Sequence, residues 1–466
     1  MAYKMLIDGK LVDGAHSLDV FNPATGGVLD TCPRADEAQL NEAVAAAKKA
    51  FPAWSALSYE QRRAKLEALA DALEARADEF ARLLTQEQGK PLPQAQGEVT
   101  GAVYGMRAFA AMKVEGRTLR ESASERIVEQ RTALGVVGAI MPWNFPMLLM
   151  VMKLGPGLIT GNTIVAKPAP TTPLTALLFG ELAAKILPPG VLNIIVDNND
   201  LGAVLTKHPD VAKVSFTGST ATGKKVMESV ASTLKRLTLE LGGNDAAIVL
   251  DDVDVSVVAP KIFDAAMSNA GQICLATKRV YAHSSVYDAL CNELARLAGE
   301  AVVDDGLKQG TTIGPLQNKM QYEKVKAFLD DAKADGKVIA GGDAMAREGY
   351  FISPTIVRDI GDDSRLVREE QFGPVLPVMS FDDVADAIAR TNDTEYGLGG
   401  SVWTSNVDRG FEVASQMQSG TVWVNKSLDI PFDVPFRGAK SSGIGGENGI
   451  EGLEEYTQAR IVNVAL

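Results

Sequence analysis

The sequence predicts an α/β protein built on parallel, doubly wound sheets. Two alternating blocks carry that prediction. Within 135–241, short apolar strand-like runs alternate with helix-like runs, and a second alternating block spans 245–425. The third observation is where the reactive side chains fall. Asn144, Lys167, Ser219 and Glu240 all stand at or just beyond strand-like ends, where such sheets bind ligands. The 466 residues suit two or three domains with sizeable cores.

In chain order, 6–23 reads as short strands with turns at Asp8-Gly9 and Asp13-Gly14. Two amphipathic helices follow. The second opens at Ser58 with Gln61 three residues on, a capping-box pattern. It sets Leu66, Leu69, Leu73 and Phe80 on one face and ends near Gly89 and Pro91. In the first block the strand-like runs are 136–141, 163–166, 191–196, 212–216 and 236–241. Helix-like runs between them include 173–187 and 222–232. In the second block strands read at 246–250, 280–283, 375–381, 401–404 and 421–425. Two outlying strand-like runs, 126–132 and 459–466, read as edge strands that pair outside the two blocks.

Composition narrows the function classes. The net charge of −13 disfavours nucleic acid as a partner. Cys32, Cys274 and Cys291 suit a reducing compartment and no disulfide framework, which with the absence of an apolar leader predicts a cytoplasmic protein. His16, His208 and His283 are scattered without ligand spacing, so neither a metal site nor a histidine-based triad is expected. The uncharged stretch 132–152 is interrupted by Pro142, Asn144 and Pro146. It reads as a buried strand, a loop and a helix start, not a membrane span.

Four motifs carry chemistry, and each has a bland alternative. Gly271-Gln-Ile-Cys274 joins a helix-like run, 260–270, to a strand-like one, 278–283. A cysteine there is either a nucleophile in a cleft or a buried structural thiol. Glu240 leaves a core strand beside Gly242-Gly243, as a general base or as a carboxylate held by backbone N–H groups. Asn144 in Pro142-Trp-Asn-Phe-Pro146 is either an oxyanion donor or part of a turn. Phe216-Thr-Gly-Ser-Thr220 offers a helix start to a pyrophosphate, or an ordinary serine cap. The overlapping 218–225 nearly spells a P-loop, but Lys225 stands where a magnesium-binding hydroxyl belongs.

Together these pieces resemble the aldehyde dehydrogenase superfamily. Lys167-Pro168, Glu240-Leu-Gly-Gly243, Glu369-Glu-Gln-Phe-Gly-Pro374 and Pro435-Phe-Arg-Gly-Ala-Lys440-Ser-Ser-Gly443 complete the set, in the family's order across nearly the whole chain. The resemblance implies two Rossmann-like domains and a small β oligomerisation element. The cofactor domain would comprise 1–122 and 135–241, the catalytic domain 242–441, and the oligomerisation element 123–134 and 442–466. It implies Cys274 as nucleophile, Glu240 as general base, and Asn144 with the Cys274 N–H as oxyanion hole. Lys153 and Glu447 match positions linked to proton movement. On the cofactor side it implies Met141, Trp143, Lys167, Pro170, Gly218, Ser219, Gly242, Glu370 and Phe372.

The implied reaction is oxidation of an aldehyde to the acid with NAD or NADP, through a thiohemiacetal and a thioester, in a homodimer or homotetramer. The rivals are a CoA-acylating relative, a catalytically silent scaffold and, from another class, a P-loop NTPase. Matched positions Phe145, Leu148, Met152, Ile273, Leu275 and Phe436 imply a medium-sized apolar or aromatic substrate. Pro170 replaces a glutamate common on the adenine ribose. With that charge absent and Lys167 free to meet a 2′-phosphate, the expectation is that NADP is accepted, even preferred. Arg437 replaces a common glycine, with no physical account from sequence.

Overall fold

The computed structural model describes residues 3–466. Its first sheet runs Lys10–Val12, Met5–Ile7, Leu192–Ile194, Thr163–Lys167, Val136–Ile140, Val211–Thr217, Arg236–Glu240, Gly443–Ile444. From Leu192–Ile194 to Arg236–Glu240 all pairings are parallel. The chain moves outward from Val136–Ile140 on one side, then crosses back to place Val211–Thr217 on the other. Strand order therefore reverses at these two neighbours, and a crevice opens beyond Ile140 and Thr217.

The second sheet runs Lys337–Ala340, Thr355–Arg358, Val375–Phe381, Arg279–His283, Ala246–Val249, Gly399–Trp403, Thr421–Val424. Only its Lys337–Ala340 edge is antiparallel. Each sheet has its own hydrophobic core. The strands at 337–340 and 355–358 had no counterpart in the sequence reading. They are short, four residues each, and the outer one is only half-buried.

The helical region before the first crevice strand differs from expectation. Four helices stand there: Glu37–Ser55, Tyr59–Glu74, Ala77–Gln88 and Leu92–Ala111. The Ser58–Gln61 capping box forms as read, but the long second helix breaks at Arg76. No Gly or Pro marks the break. Arg76 leaves helical geometry and its guanidinium takes the Glu79 carboxylate in the next first turn. Leu66, Leu69, Leu73 and Phe80 nonetheless share one core.

The two outlying strands pair with each other. Thr457–Ala465 runs antiparallel to Glu125–Ala133, and Arg117–Glu121 adds a third strand. That third strand lies within 1–122 and was not foreseen; all five of its residues are exposed, so no apolar pattern announced it. The near P-loop is not a loop at all. Helix Thr220–Ala231 has already begun, and Gly223 packs inside it against Leu241.

Candidate active site

Cys274 is delivered by a strained turn. Helix Val255–Met267 ends, and Asn269, Ala270 and Gly271 then adopt left-handed φ of 51°, 54° and 73°. A side chain at Gly271 would stand 2.3 Å from the Gly373 carbonyl, so only glycine fits. Left-handed geometry at Asn269 and Ala270 is the kind of strain that surrounding packing must hold in place. Gln272, fully buried, donates to Asn269 O at 2.8 Å and accepts from Gln317 N at 2.9 Å. The Cys274 thiol sits deep but keeps part of its surface open to the crevice. Among the described residues its backbone N–H meets no acceptor. Burial first, and the Glu240 carboxylate second, push the thiol well above its ordinary range, while the Lys278 ammonium opposes them.

Glu240 ends its strand with both carboxylate oxygens buried and without a hydrogen-bond partner. Burial, then repulsion from Glu447, push its carboxyl up to about 8, against the Cys274 thiol and Lys153. Asn144 is buried in the loop after Ile140. Its Nδ2 donates to Gln272 O at 3.0 Å, which leaves one amide proton uncommitted. The Asn144 backbone carbonyl accepts from Lys90 Nζ at 2.9 Å and Asn269 Nδ2 at 3.1 Å.

Cys274, Glu240 and Asn144 line one crevice of about 590 Å³. Met141, Trp143, Lys167 and Pro170 line its wall on one side, and Gly218, Ser219 and Gly242 on the other. Glu370 and Phe372 close it from the second sheet's side of the chain. Gly242 is required by close approach: a side chain there would stand 2.6 Å from Glu370 Oε2. Glu370 Oε1 accepts from Gly243 N at 3.0 Å. Trp143 meets Phe372 edge-on, ring centres 5.4 Å apart. Ser219 caps helix Thr220–Ala231 through Thr222 N at 3.3 Å.

Lys153 and Glu447 do not reach the crevice wall. They pair beneath Glu240, Nζ to Oε1 at 2.9 Å, and Lys153 also donates to Ser215 and Thr217. The second Glu447 oxygen is buried without a partner.

The sequence pattern of the Aldehyde dehydrogenase family matches residues 11–462. The chain belongs to the aldehyde dehydrogenase family. It is 40% identical to the phenylacetaldehyde dehydrogenase of Pseudomonas fluorescens, over 100% of this chain and 96% of that one. It is 37% identical to the succinate-semialdehyde dehydrogenase (NADP(+)) of Escherichia coli, over 99% of this chain and 97% of that one. The solved NAD+ complex of aldehyde dehydrogenase from Bacillus cereus superposes with a TM-score of 0.98 at 36% identity, covering 100% of this chain and 97% of that one.

Within this aldehyde dehydrogenase one expectation needs correction. Lys167 is not a free cation: its Nζ pairs with Asp197 Oδ1 at 2.6 Å, and both side chains are buried. Asp197 lies in another loop, so no local pattern linked the two. Pro170 does line the crevice, without charge. Arg437 is exposed and lies across Gly446; beyond that contact nothing in the structure explains it.

Other groups around the site were missed from sequence. Glu98 accepts from Met147 N at 2.9 Å and Leu148 N at 3.2 Å, so it holds the start of helix Pro146–Ile159, and its carboxylate pairs with Lys90. On the far side of the thiol, Ile273 and Leu275 join Leu398, Trp423, Leu428, Ile430 and Phe436 in a small apolar cluster. Phe436 was expected from its motif, but Leu398, Trp423, Leu428 and Ile430 carried none. Their apolar character was the only available signal.

Proposed function

We propose that this chain oxidises an aldehyde to the carboxylic acid with NAD or NADP, through a covalent intermediate on Cys274. One observation carries the reading. A partly open thiol, an uncommitted N–H, a spare amide proton and a buried unpartnered carboxylate meet in one crevice. The crevice suits a dinucleotide. Gly242 keeps clear the space beside Glu370, and the helix start at Ser219 presents backbone N–H groups to a pyrophosphate.

The Cys274 thiolate adds to the aldehyde carbon, and the oxygen takes up negative charge. The Cys274 N–H and Asn144 Nδ2 donate to that oxygen. When bound, the nicotinamide supplies the acceptor for the hydride that departs. A thioester then remains on Cys274. Glu240 removes a proton from water, which attacks the thioester and frees the acid. Lys153 and Glu447, below Glu240, lie where that proton can be passed on.

The apolar cluster around Cys274 supports a medium-sized apolar or aromatic aldehyde. Of the charges nearby in sequence, Asp429 is engaged by Lys426 at 2.5 Å, and Asp433 and Arg437 are exposed. The small three-stranded sheet supports a homodimer or homotetramer, and three free cysteines support a reducing compartment such as the cytoplasm.

A panel of aldehydes, with each cofactor and without CoA, tests the reading by the absorbance of the reduced nicotinamide. Phenylacetaldehyde or a medium-chain aldehyde should exceed succinate semialdehyde in kcat/KM by about tenfold or more. The reverse preference refutes the apolar pocket. Activity strictly dependent on CoA would instead mean an acylating enzyme. Cys274→Ala should abolish turnover and keep cofactor binding; substantial residual turnover sinks the nucleophile.

A further inference from the structure

We propose that Lys278 is a positioning residue for the nucleophile: its ammonium fixes the peptide that aims the Cys274 N–H into the crevice, and ties that peptide to Glu370. The proposal rests on the reading of Cys274 as nucleophile. Lys278 is 1% exposed, and burying an ammonium this deeply is unfavourable unless polar partners compensate it. Two hydrogen bonds and one ion-pair contact do so here. Nζ donates to Ile273 O at 2.9 Å and Cys274 O at 2.5 Å, and stands 3.5 Å from Glu370 Oε1.

The first of these contacts matters most. Ile273 O and the Cys274 N–H belong to one planar trans peptide, so they point in opposite directions. Holding the carbonyl on the lysine side sends the N–H the other way. Ala276 N also donates to Ile273 O at 3.1 Å, so the carbonyl is gripped twice. An ammonium on that carbonyl polarises the peptide and strengthens its N–H as a donor. The second bond holds the next peptide, and the third contact reaches the carboxylate on the cofactor wall. One side chain thereby joins the nucleophile's loop to Glu370.

The charge acts in the same direction. Cys274 faces Glu240 from the first sheet and Asp245 from the second, both of which disfavour a thiolate. Lys278 is the cation opposing them. Its backbone is anchored independently, by Lys278 N to Asp245 O at 2.9 Å and by Gln371 Nε2 to Lys278 O at 3.2 Å. Changing the side chain therefore leaves the strand start in place.

The test is the pH dependence of Cys274 alkylation by iodoacetamide in the full-length enzyme, located by mass spectrometry, beside kcat and KM. In Lys278→Met, alkylation below the midpoint should slow by about tenfold, the equivalent of roughly one pKa unit. In the same variant kcat should fall on the order of tenfold or more while KM for the aldehyde moves little. Lys278→Arg, which keeps the cation, should recover most of the alkylation rate. If Lys278→Met does not fold, Lys278→Gln is read in the same way. A purely structural lysine would leave the alkylation profile of a folded variant unchanged, and that result overturns the proposal. So does an arginine variant that behaves like the methionine one. Label on Cys32 or Cys291 in place of Cys274 would instead refute the nucleophile itself.

Discussion

Glu240 sets the pH at which the second half of the proposed reaction runs. Its carboxyl is pushed up to about 8, by burial first and by Glu447 next. A general base works only when deprotonated, so release of the acyl group should rise with pH and level off above about 8. Glu447→Gln removes a repelling charge and leaves Lys153 unneutralised, and both changes favour the Glu240 carboxylate. The midpoint should move to lower pH in single-turnover measurements of acyl release; a fixed midpoint would mean that Glu447 does not act on Glu240. In Glu240→Gln the acyl adduct on Cys274 should accumulate and be visible by mass spectrometry. Stability gives a second readout. A carboxyl whose folded pKa is raised stabilises the fold below its unfolded range, and loses that contribution as pH rises through about 8. Glu240→Gln should therefore gain in Tm over the parent as pH rises from about 4.5 to about 8, and a constant difference across that range refutes a buried neutral acid. Cys274, Glu240 and Asn144 were legible because each sits in a local motif. Lys278 was not, since nothing in its neighbours says that its side chain turns back onto residues 273 and 274.

Parallel pairing brings strand ends together that are distant in sequence. Ala166 pairs with Ile194, so the chain leaves both strands side by side, and Lys167 meets Asp197 there. Sequence alone showed an uncharged Pro170 in place of a repelling glutamate and Lys167 as a free cation, and the case for NADP rested on both; the ion pair removes the second. A buried ion pair offers a 2′-phosphate far less net attraction. Asp197→Asn restores the cation. The amide oxygen can still accept the bond from Leu201 N that Asp197 Oδ2 now takes at 3.0 Å. The ratio of kcat/KM for NADP over NAD should rise by at least about tenfold, or about 1.4 kcal/mol. An unchanged ratio would assign cofactor choice to other groups. The same limit explains which elements were readable. Core strands such as Val136–Ile140 are uninterrupted apolar runs, buried throughout, and announce themselves. The half-buried Lys337–Ala340 has an apolar run of only Val338, Ile339 and Ala340, too short to stand out, and the exposed Arg117–Glu121 has a single apolar residue. The break at Arg76 lacks the residues that usually stop a helix.

At the scale of the molecule, the two alternating blocks became two sheets with separate cores, as their periodicity implied. The small three-stranded sheet is different, because both of its outer strands are open to a partner. Thr457–Ala465 and Arg117–Glu121 are its edges, and each edge carries unpaired backbone groups. Leu119, Ile461, Val464 and Leu466 are exposed on it. Most of its charges are paired internally, Arg126 with Glu121 at 2.6 Å and Arg120 with Glu125 at 2.8 Å, while Arg460 on the outer strand stands exposed. An open edge with exposed apolar side chains and most of its charges already paired is suited to symmetric self-association. The full chain should therefore run above monomer mass in light scattering. Ile461→Lys with Val464→Lys should return it toward the monomer. Both positions are exposed, so the fold and the far-ultraviolet dichroism should be kept. A monomeric parent defeats the proposed assembly outright. A double variant that keeps the parent's mass would show that the subunits meet elsewhere.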